Sequence, residues 1–426
     1  MRLSIISRQR IITVDALRGF ALLGILFSHF IYWYSGAGLP QEVYTKFQDA
    51  GSNAASIING LLISGKFFTF FSFLFGLSFY LQMDSLQKKN DNFVLRYLWR
   101  LIILGVIGLL HHAIWRGDIL SIYVPLGFIL LLIRNISNRL LLLFAFLLIL
   151  NAPVRIIEIV HLFTENKVAS VMTAPPADPE SQRYYDIIKS SSVKEMIIDN
   201  WKALSTKFRF QFESGRIYIT LGFFMLGMYV GRKKWFENPL NVKSLIKRIC
   251  RISGWISFGI ILIMVGLFII NSVMKLGLDK NQYLNLFFSF LFDSANSSLT
   301  VFYLSGLTIL MYSDKWQKIL YPLAPVGKMA LTVYLSQTIF GLLLFYNFGL
   351  NLFLKTSPGI NMLLAIPVFI MQAFLSKLWL TYFNYGPVEW FWRSLTFFSW
   401  YPLRKKEINI FSNSSKVDNS NFTNTE

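Results

Sequence analysis

Residues 14–34 read VDALRGFALLGILFSHFIYWY, an apolar run long enough to cross about 30 Å of hydrocarbon, yet it carries Asp15, Arg18 and His29. Each of these is costly inside a bilayer unless it is paired or faces a polar cavity. Two readings stand side by side. Asp15 and Arg18 suit an anchor at the headgroup boundary, with His29 a satisfied polar group in a helix bundle. Alternatively, the three line one wall of a working site.

The whole chain shares this character. Its 426 residues are 54% hydrophobic and 17% aromatic, with 15% charged, too few charges to cover a soluble surface of that size. Apolar runs predict an all-α polytopic transmembrane bundle over residues 1–384. About ten spans are expected, at 16–34, 60–82, 99–115, 117–133, 140–161, 215–231, 252–273, 287–311, 322–348 and 360–384. An even number puts both termini on one side. The net charge of +19 then reads as orientation rather than as a nucleic-acid signal. Basic residues crowd the loops on the terminal side, for example Lys88, Lys89, Arg96 and Arg100, and again Arg232, Lys233, Lys234, Lys243, Lys247, Arg248 and Arg251. Short loops on the other side hold Lys46, Arg116, Lys275, Lys280 and Lys355. Both termini are therefore expected in the cytoplasm, and the opening segment is expected to remain as the first helix.

The extramembrane pieces are few. The 162–214 loop is placed outside the cytoplasm. After the turn-rich TAPPADPE it reads as an amphipathic helix with a Ser192/Glu195 capping box and a stripe of Val193, Met196, Ile197, Trp201, Leu204 and Phe208. Such a helix suits either the membrane surface or a lid over a cavity. Residues 385–403 predict a cytoplasmic interfacial helix with a Glu389–Arg393 pair and an aromatic belt of Trp390, Trp392, Trp400 and Tyr401. Residues 404–426 read as a disordered tail. Cys250 stands alone, so neither a disulfide nor a cysteine-based metal site is expected.

Polar residues recur at telling intervals. Arg18 and His29 are eleven residues apart, which returns them to one helix face about 16 Å apart along the axis. Arg100 and His111 repeat that interval in RYLWRLIILGVIGLLHHAIWRGD, followed by Asp118. All four histidines (His29, His111, His112, His161) map to the outer half of the bundle. Arg155 and Glu158 form an i,i+3 pair beside His161. Gly19 and Gly24 suit close helix approach. Lys66 reads as snorkelling at the outer boundary, or as a substrate-binding cation. Asp293 reads either as an intramembrane carboxylate or as the cap of a helix starting near 294.

TVDALRGFALLGILFSHF resembles the opening of the YeiB-like family of bacterial membrane proteins (domain of unknown function 418). SGKFFTFFSFLFGLSF, RYLWRLIILGVIGLLHHAIWRGDILSIYVPLG, PVGKMALTVYLSQTIF and GPVEWFWRSL resemble that family's later blocks, in the same order along nearly the whole chain. The family is distantly similar to membrane acyltransferases of the acyltransferase-3 and heparan-glucosaminide acetyltransferase types. Acyltransferase-3 proteins carry an Arg, ten residues and a His on the first helix, as Arg18 and His29 do here. YeiB-like proteins often have Asn near that position, so His29 is a departure toward the acyltransferase pattern.

The resemblance implies a multi-pass protein of the bacterial plasma membrane that moves an acyl group, acetyl foremost, from cytoplasmic acyl-coenzyme A to a hydroxyl or amine acceptor near the outer face. The acceptor would be a glycan, a lipid-linked sugar or a small metabolite. His29 would be the general base, with His111 a second base or oxyanion donor whose ring is fixed by Asp118 or by the RGD turn. Asp15, Arg18, Arg100, Asp118 and Lys66 are the candidate binding residues. Membrane lipids are the expected surroundings, and neither nucleic acid nor metal is expected. The rival reading is a small-molecule transporter using the same intramembrane charges. No phosphate-loop, dinucleotide or zinc-helix motif occurs.

Overall fold

The computed structural model describes residues 2–36, 39, 50–88, 92–164, 179–190, 192–237, 239–275, 278 and 281–405. The TAPPADPE stretch up to 178, Lys46, Lys89, Lys280 and the tail beyond 405 lie outside them. Among the described residues the fold is helical and has no strand; Phe383 and Arg404 form an isolated antiparallel bridge.

The chain runs through α1 (Arg2–Ile31), α2 (Ala50–Ile58), a π-helical turn (Asn59–Ile63), α3 (Phe67–Gln87) and α4 (Phe93–Ile114). It continues with α5 (Leu120–Leu132), α6 (Asn138–Ile149), α7 (Ala152–Thr164), α8 (Pro179–Ser190) and α9 (Val193–Glu213). Then come α10 (Arg216–Arg232), α11 (Pro239–Met274), α12 (Gln282–Met311), α13 (Asp314–Leu320) and α14 (Leu323–Lys328). The last are α15 (Ala330–Phe345), α16 (Pro358–Tyr382) and α17 (Pro387–Phe397).

The count of ten spans is not supported. Among the described residues, five segments are long and apolar enough to cross a bilayer: Ile12–Ser35, Gly51–Gln87, Phe93–Ile114, Asn241–Met274 and Pro358–Tyr382. A sixth arises if α6 and α7, bent by 53°, form one broken span. The expected span 117–133 loses its start to the turn after Trp115, leaving α5 with 13 residues, or about 20 Å of helix. The 322–348 segment is broken at Met329 between α14 and the 16-residue α15.

Small residues set the packing. Membrane helices gain little from a hydrophobic drive toward each other, so close backbone approach matters more. α1 lies against α14 where Gly19 meets the Leu323 backbone and Gly327 meets the Asp15 backbone. α3 and α10 interlock in the same way, Gly76 against the Phe224 carbonyl and Gly227 against the Phe73 carbonyl. Gly24 makes room for the Phe67 ring. α11 packs along α12 and turns its other face outward, with Phe268 and Val273 70% and 74% exposed, as suits lipid contact.

A methyl group at Gly227 would collide with backbone, which cannot yield as a side chain does. Gly227→Ala is expected to lower stability by about 1–3 kcal/mol, the usual cost of overpacking. Gly259→Ala, with nothing within 4 Å of the added carbon, is the control and should leave the melting temperature in detergent nearly unchanged.

Candidate active site

Two cavities lie end to end along α1. The first, about 260 Å³, lies at the Arg18 end and is lined by Arg18, Ser78, Arg100, Lys328, Glu389 and Trp392 among others. Asp15 holds the Arg18 guanidinium at 2.6 Å, and Arg18 donates a second bond to Ser78 Oγ at 2.7 Å. Arg100 differs. Its guanidinium lies 3.5 Å from the Trp392 ring centre and has no hydrogen bond or ion pair with a described residue. α17 forms the floor by lying across α4: Trp392 Nε1 donates to the Arg100 carbonyl at 3.0 Å and Trp99 Nε1 to the Leu395 carbonyl at 3.0 Å. Trp392 is thus a cavity wall rather than part of a headgroup belt.

The expected Glu389–Arg393 pair does not form. Glu389 instead accepts from the Leu331 and Thr332 backbone N–H groups at 2.6 and 3.0 Å and caps the start of α15. Arg393 is spent on the rings of Tyr385, Phe397 and Tyr401. Burial pushes the Glu389 carboxyl up from its ordinary value, and the Thr332 hydroxyl and the backbone donors offset part of that rise.

The second cavity, about 730 Å³, lies at the His29 end, with walls that include His29, Trp33, His112, Arg116, Asp118, Lys207 and Arg216. Ile25, Ile119 and Tyr334 line both cavities and form the partition between them. His29 packs edge-on to Trp115 at 4.5 Å and makes no hydrogen bond with a described residue. Its ring nitrogens are available to whatever enters. Behind it, Trp115 stacks on Tyr34 and Tyr34 on Phe345, a column that stiffens this end of the bundle.

His111 sits beside this cavity, not on its wall. Asp118 Oδ1 accepts the Nδ1 proton of His111 at 2.8 Å, which leaves Nε2 to accept from the Thr338 hydroxyl at 2.8 Å. Asp118 also accepts from the Leu120 and Ser121 N–H groups at 3.1 and 2.8 Å, capping α5. Lys207 of α9 approaches the same carboxylate at 3.6 Å and donates to Ser121 Oγ at 2.8 Å. His112 turns the other way. Its Nε2 donates to the Asn200 carbonyl at 2.8 Å, so Nδ1 is the acceptor for Lys207 at 3.2 Å. Burial pushes the Lys207 ammonium down from its ordinary value, and Asp118 restores part of it.

These bonds explain how α9 lies. Ser192 caps it through the Glu195 N–H at 3.3 Å. The inward face, however, carries Met196, Asp199, Asn200 and Ala203, whereas Val193 and Trp201 of the expected stripe are exposed. Polar anchoring won over apolar burial here: Arg116 pairs with Asp199 and donates to Asn200 Oδ1, and Asn200 donates to the Ala113 carbonyl.

Other sequence candidates fall elsewhere. Lys66 does not snorkel and lines neither of these two cavities; it is buried, with Nζ on the Gly60 carbonyl at 2.5 Å. His161 is exposed on α7 and lines neither cavity. Asp293 is not a cap, because α12 starts after Asn281 and runs through it. Arg155 and Asn151 each donate to Asp293 at 3.0 Å, and Arg155 also pairs with Glu158 at 2.5 Å. Tyr334, Thr338 and Arg216 were not singled out in the sequence. Tyr334 stands in the quoted block PVGKMALTVYLSQTIF, where a tyrosine amid apolar residues was the available signal. Among the described residues no cluster of three or more His, Cys, Asp or Glu side chains could hold a metal ion.

Comparison with known proteins places this geometry in a family context. Residues 230–399 match the family described as "Protein of unknown function (DUF418)". The uncharacterized protein YxaH of Bacillus subtilis (strain 168) is 30% identical over 418 residues, covering 94% of this chain and 98% of the relative. An uncharacterized 39.9 kDa protein from the amylase 3' region of Bacillus acidopullulyticus is 26% identical over 94% of this chain and 97% of its own length. The uncharacterized protein YeiB of Escherichia coli (strain K12) is 26% identical over 91% and 96% respectively. No solved structure matches the chain.

Removing the Asp118 carboxylate would leave His111, Lys207 and two N–H groups without their common acceptor. Asp118→Ala is expected to cost about 3–5 kcal/mol, the usual penalty for breaking a buried ionic contact by deleting one partner. Thermal unfolding in detergent measures this; a change under 1 kcal/mol, given as ~1 by the cost of an ordinary hydrogen bond, would mean the network carries little of the fold.

Proposed function

This chain belongs to the DUF418 family, and from that premise and the two stacked cavities we propose a membrane-embedded acyltransferase that passes an acyl group between them. The observation that carries the reading is the partition. Three side chains, Ile25, Ile119 and Tyr334, separate a cation-lined chamber from one that holds an unbonded histidine. By the positive-inside rule the basic loops would put the Arg18 end in the cytoplasm; the first chamber would then receive acyl-coenzyme A and the second an acceptor from outside.

The dimensions support a division of labour. A cavity of about 260 Å³ suits a slender acyl-pantetheine arm and not a whole coenzyme A, so the nucleotide would stay at the mouth, where Arg18, Arg100 and Lys328 supply positive charge. His29 takes the proton of the acceptor hydroxyl or amine. The acceptor atom bonds to the thioester carbonyl carbon, the carbon–sulfur bond breaks, and the departing thiolate takes up the proton as coenzyme A. Tyr334 accepts a hydrogen bond from the Ile119 N–H at 3.0 Å and makes no other bond with a described residue, so its own proton is available to the developing oxyanion. His111, bonded at both nitrogens, would position the partition rather than act as the base; its ring packs on Tyr334 at 5.1 Å.

A thin partition between two chambers also favours the transporter reading, since alternating access needs such a gate. Coenzyme A release separates the two. In nanodiscs, the unmodified chain is expected to bind acetyl-coenzyme A. Arg100→Gln should weaken that binding about 10- to 100-fold, the worth of one charge-assisted hydrogen bond. His29→Gln should bind normally yet lose about 10²–10⁴ in transfer rate. Absence of acetyl-coenzyme A binding by the unmodified chain would remove the donor assignment and leave transport.

A further inference from the structure

The ionisable groups of the larger cavity are not balanced. Its walls carry Arg116, Lys207 and Arg216 against one carboxylate, Asp118. Two of the cations have acidic partners: Arg116 pairs with Asp199, and Lys207 lies 3.6 Å from Asp118. Asp118 is further engaged by His111 and two backbone N–H groups. Arg216 has no carboxylate in contact; Asp293 acts on it only from a longer distance and is itself bonded to Arg155 and Asn151. Its guanidinium lies 5.5 Å from the Phe68 ring centre and 5.2 Å from that of Phe210, and makes no hydrogen bond or ion pair with a described residue.

A half-buried guanidinium near two phenylalanine rings and facing a cavity within a membrane bundle, with its nearest carboxylate, Asp293, already bonded to Arg155 and Asn151, is a costly arrangement. Its planar fork of donors matches the oxygen pairs of a phosphate or carboxylate. The two neighbouring ring faces help hold the fork in place without consuming its donors. We propose that the molecule taken up in the His29 cavity is anionic, with a phosphate group seated on Arg216 and its reactive hydroxyl or amine directed to His29. This deepens the acyltransferase reading and rests on it for the role of His29; the anion site itself does not depend on that role. A sugar phosphate or the headgroup of an anionic lipid would present the same chemistry.

The test uses the full chain in phosphatidylcholine nanodiscs, with glucose 1-phosphate and glucose as probes and tryptophan fluorescence as the readout, since Trp33 lines the cavity. Glucose 1-phosphate is expected to bind and glucose to bind at least tenfold more weakly. Arg216→Gln should abolish that preference, while Arg216→Lys, which keeps the charge, should retain part of it. Native mass spectrometry in discs containing phosphatidylglycerol forms the second arm: retained phosphatidylglycerol that is lost in Arg216→Gln assigns the site to a lipid headgroup. Acetyl-coenzyme A binding by each variant serves as the control for folding. Equal binding of both probes and of phosphatidylglycerol with and without Arg216, or binding of none of them, would overturn the proposal. Anion binding at Arg216 without any acetyl-coenzyme A binding would sink the acyltransferase reading and leave the anion site standing.

Discussion

Four parts of the chain meet at the Asp118 carboxylate. Through His111 it ties α4 to Thr338 of α15, through two N–H groups it caps α5, and through Lys207 it holds α9 over the larger cavity. One buried charge with several donors is stable where an isolated one would not be, because the donors replace the water it gave up. Without this knot, α9 would lose one of its inward polar contacts, and the His111 ring packed on the partition residue Tyr334 would lose its Nδ1 partner.

The same accounting separates structural charges from functional ones. Lys66, Asp293, Arg155 and Glu389 all find partners within the fold, and each holds an element in place. His29, Arg100 and Arg216 contact aromatic rings but make no side-chain hydrogen bond or ion pair with a described residue, and all three lie on cavity walls. A bundle in a bilayer can keep such groups only where a polar cavity or a ligand receives them. Each cavity thus carries one arginine held by aromatic rings with its donors unspent, and the histidine stands in the chamber away from the basic loops.

Much of this was legible in the sequence. The helical class, the first helix with Asp15 beside Arg18, and the opposition of Arg18 to His29 follow from composition and a 100° rotation per residue. Glycine positions 19 and 24 signalled close approach, which the structure shows against Leu323 and Phe67. The number of spans was not legible, because hydropathy does not register the break at Met329 or the turn after Trp115. Glu389 was misjudged for a related reason: spacing favoured Arg393, and the N–H groups of Leu331 and Thr332, 58 and 57 residues away in sequence, compete better. Arg216 and Tyr334 gain their significance from neighbours on other helices, which no local pattern reports.

The central claim is that an acyl group crosses the partition while its carrier does not. Proteoliposomes of uniform orientation, given acetyl-coenzyme A labelled in the acetyl group on one side, measure this directly. The account predicts that free coenzyme A appears on the side of supply, only when that side is the Arg18 end, with acetylated product in the opposite compartment. Intact acetyl-coenzyme A in the opposite compartment, or labelled product from either side alike, would contradict it.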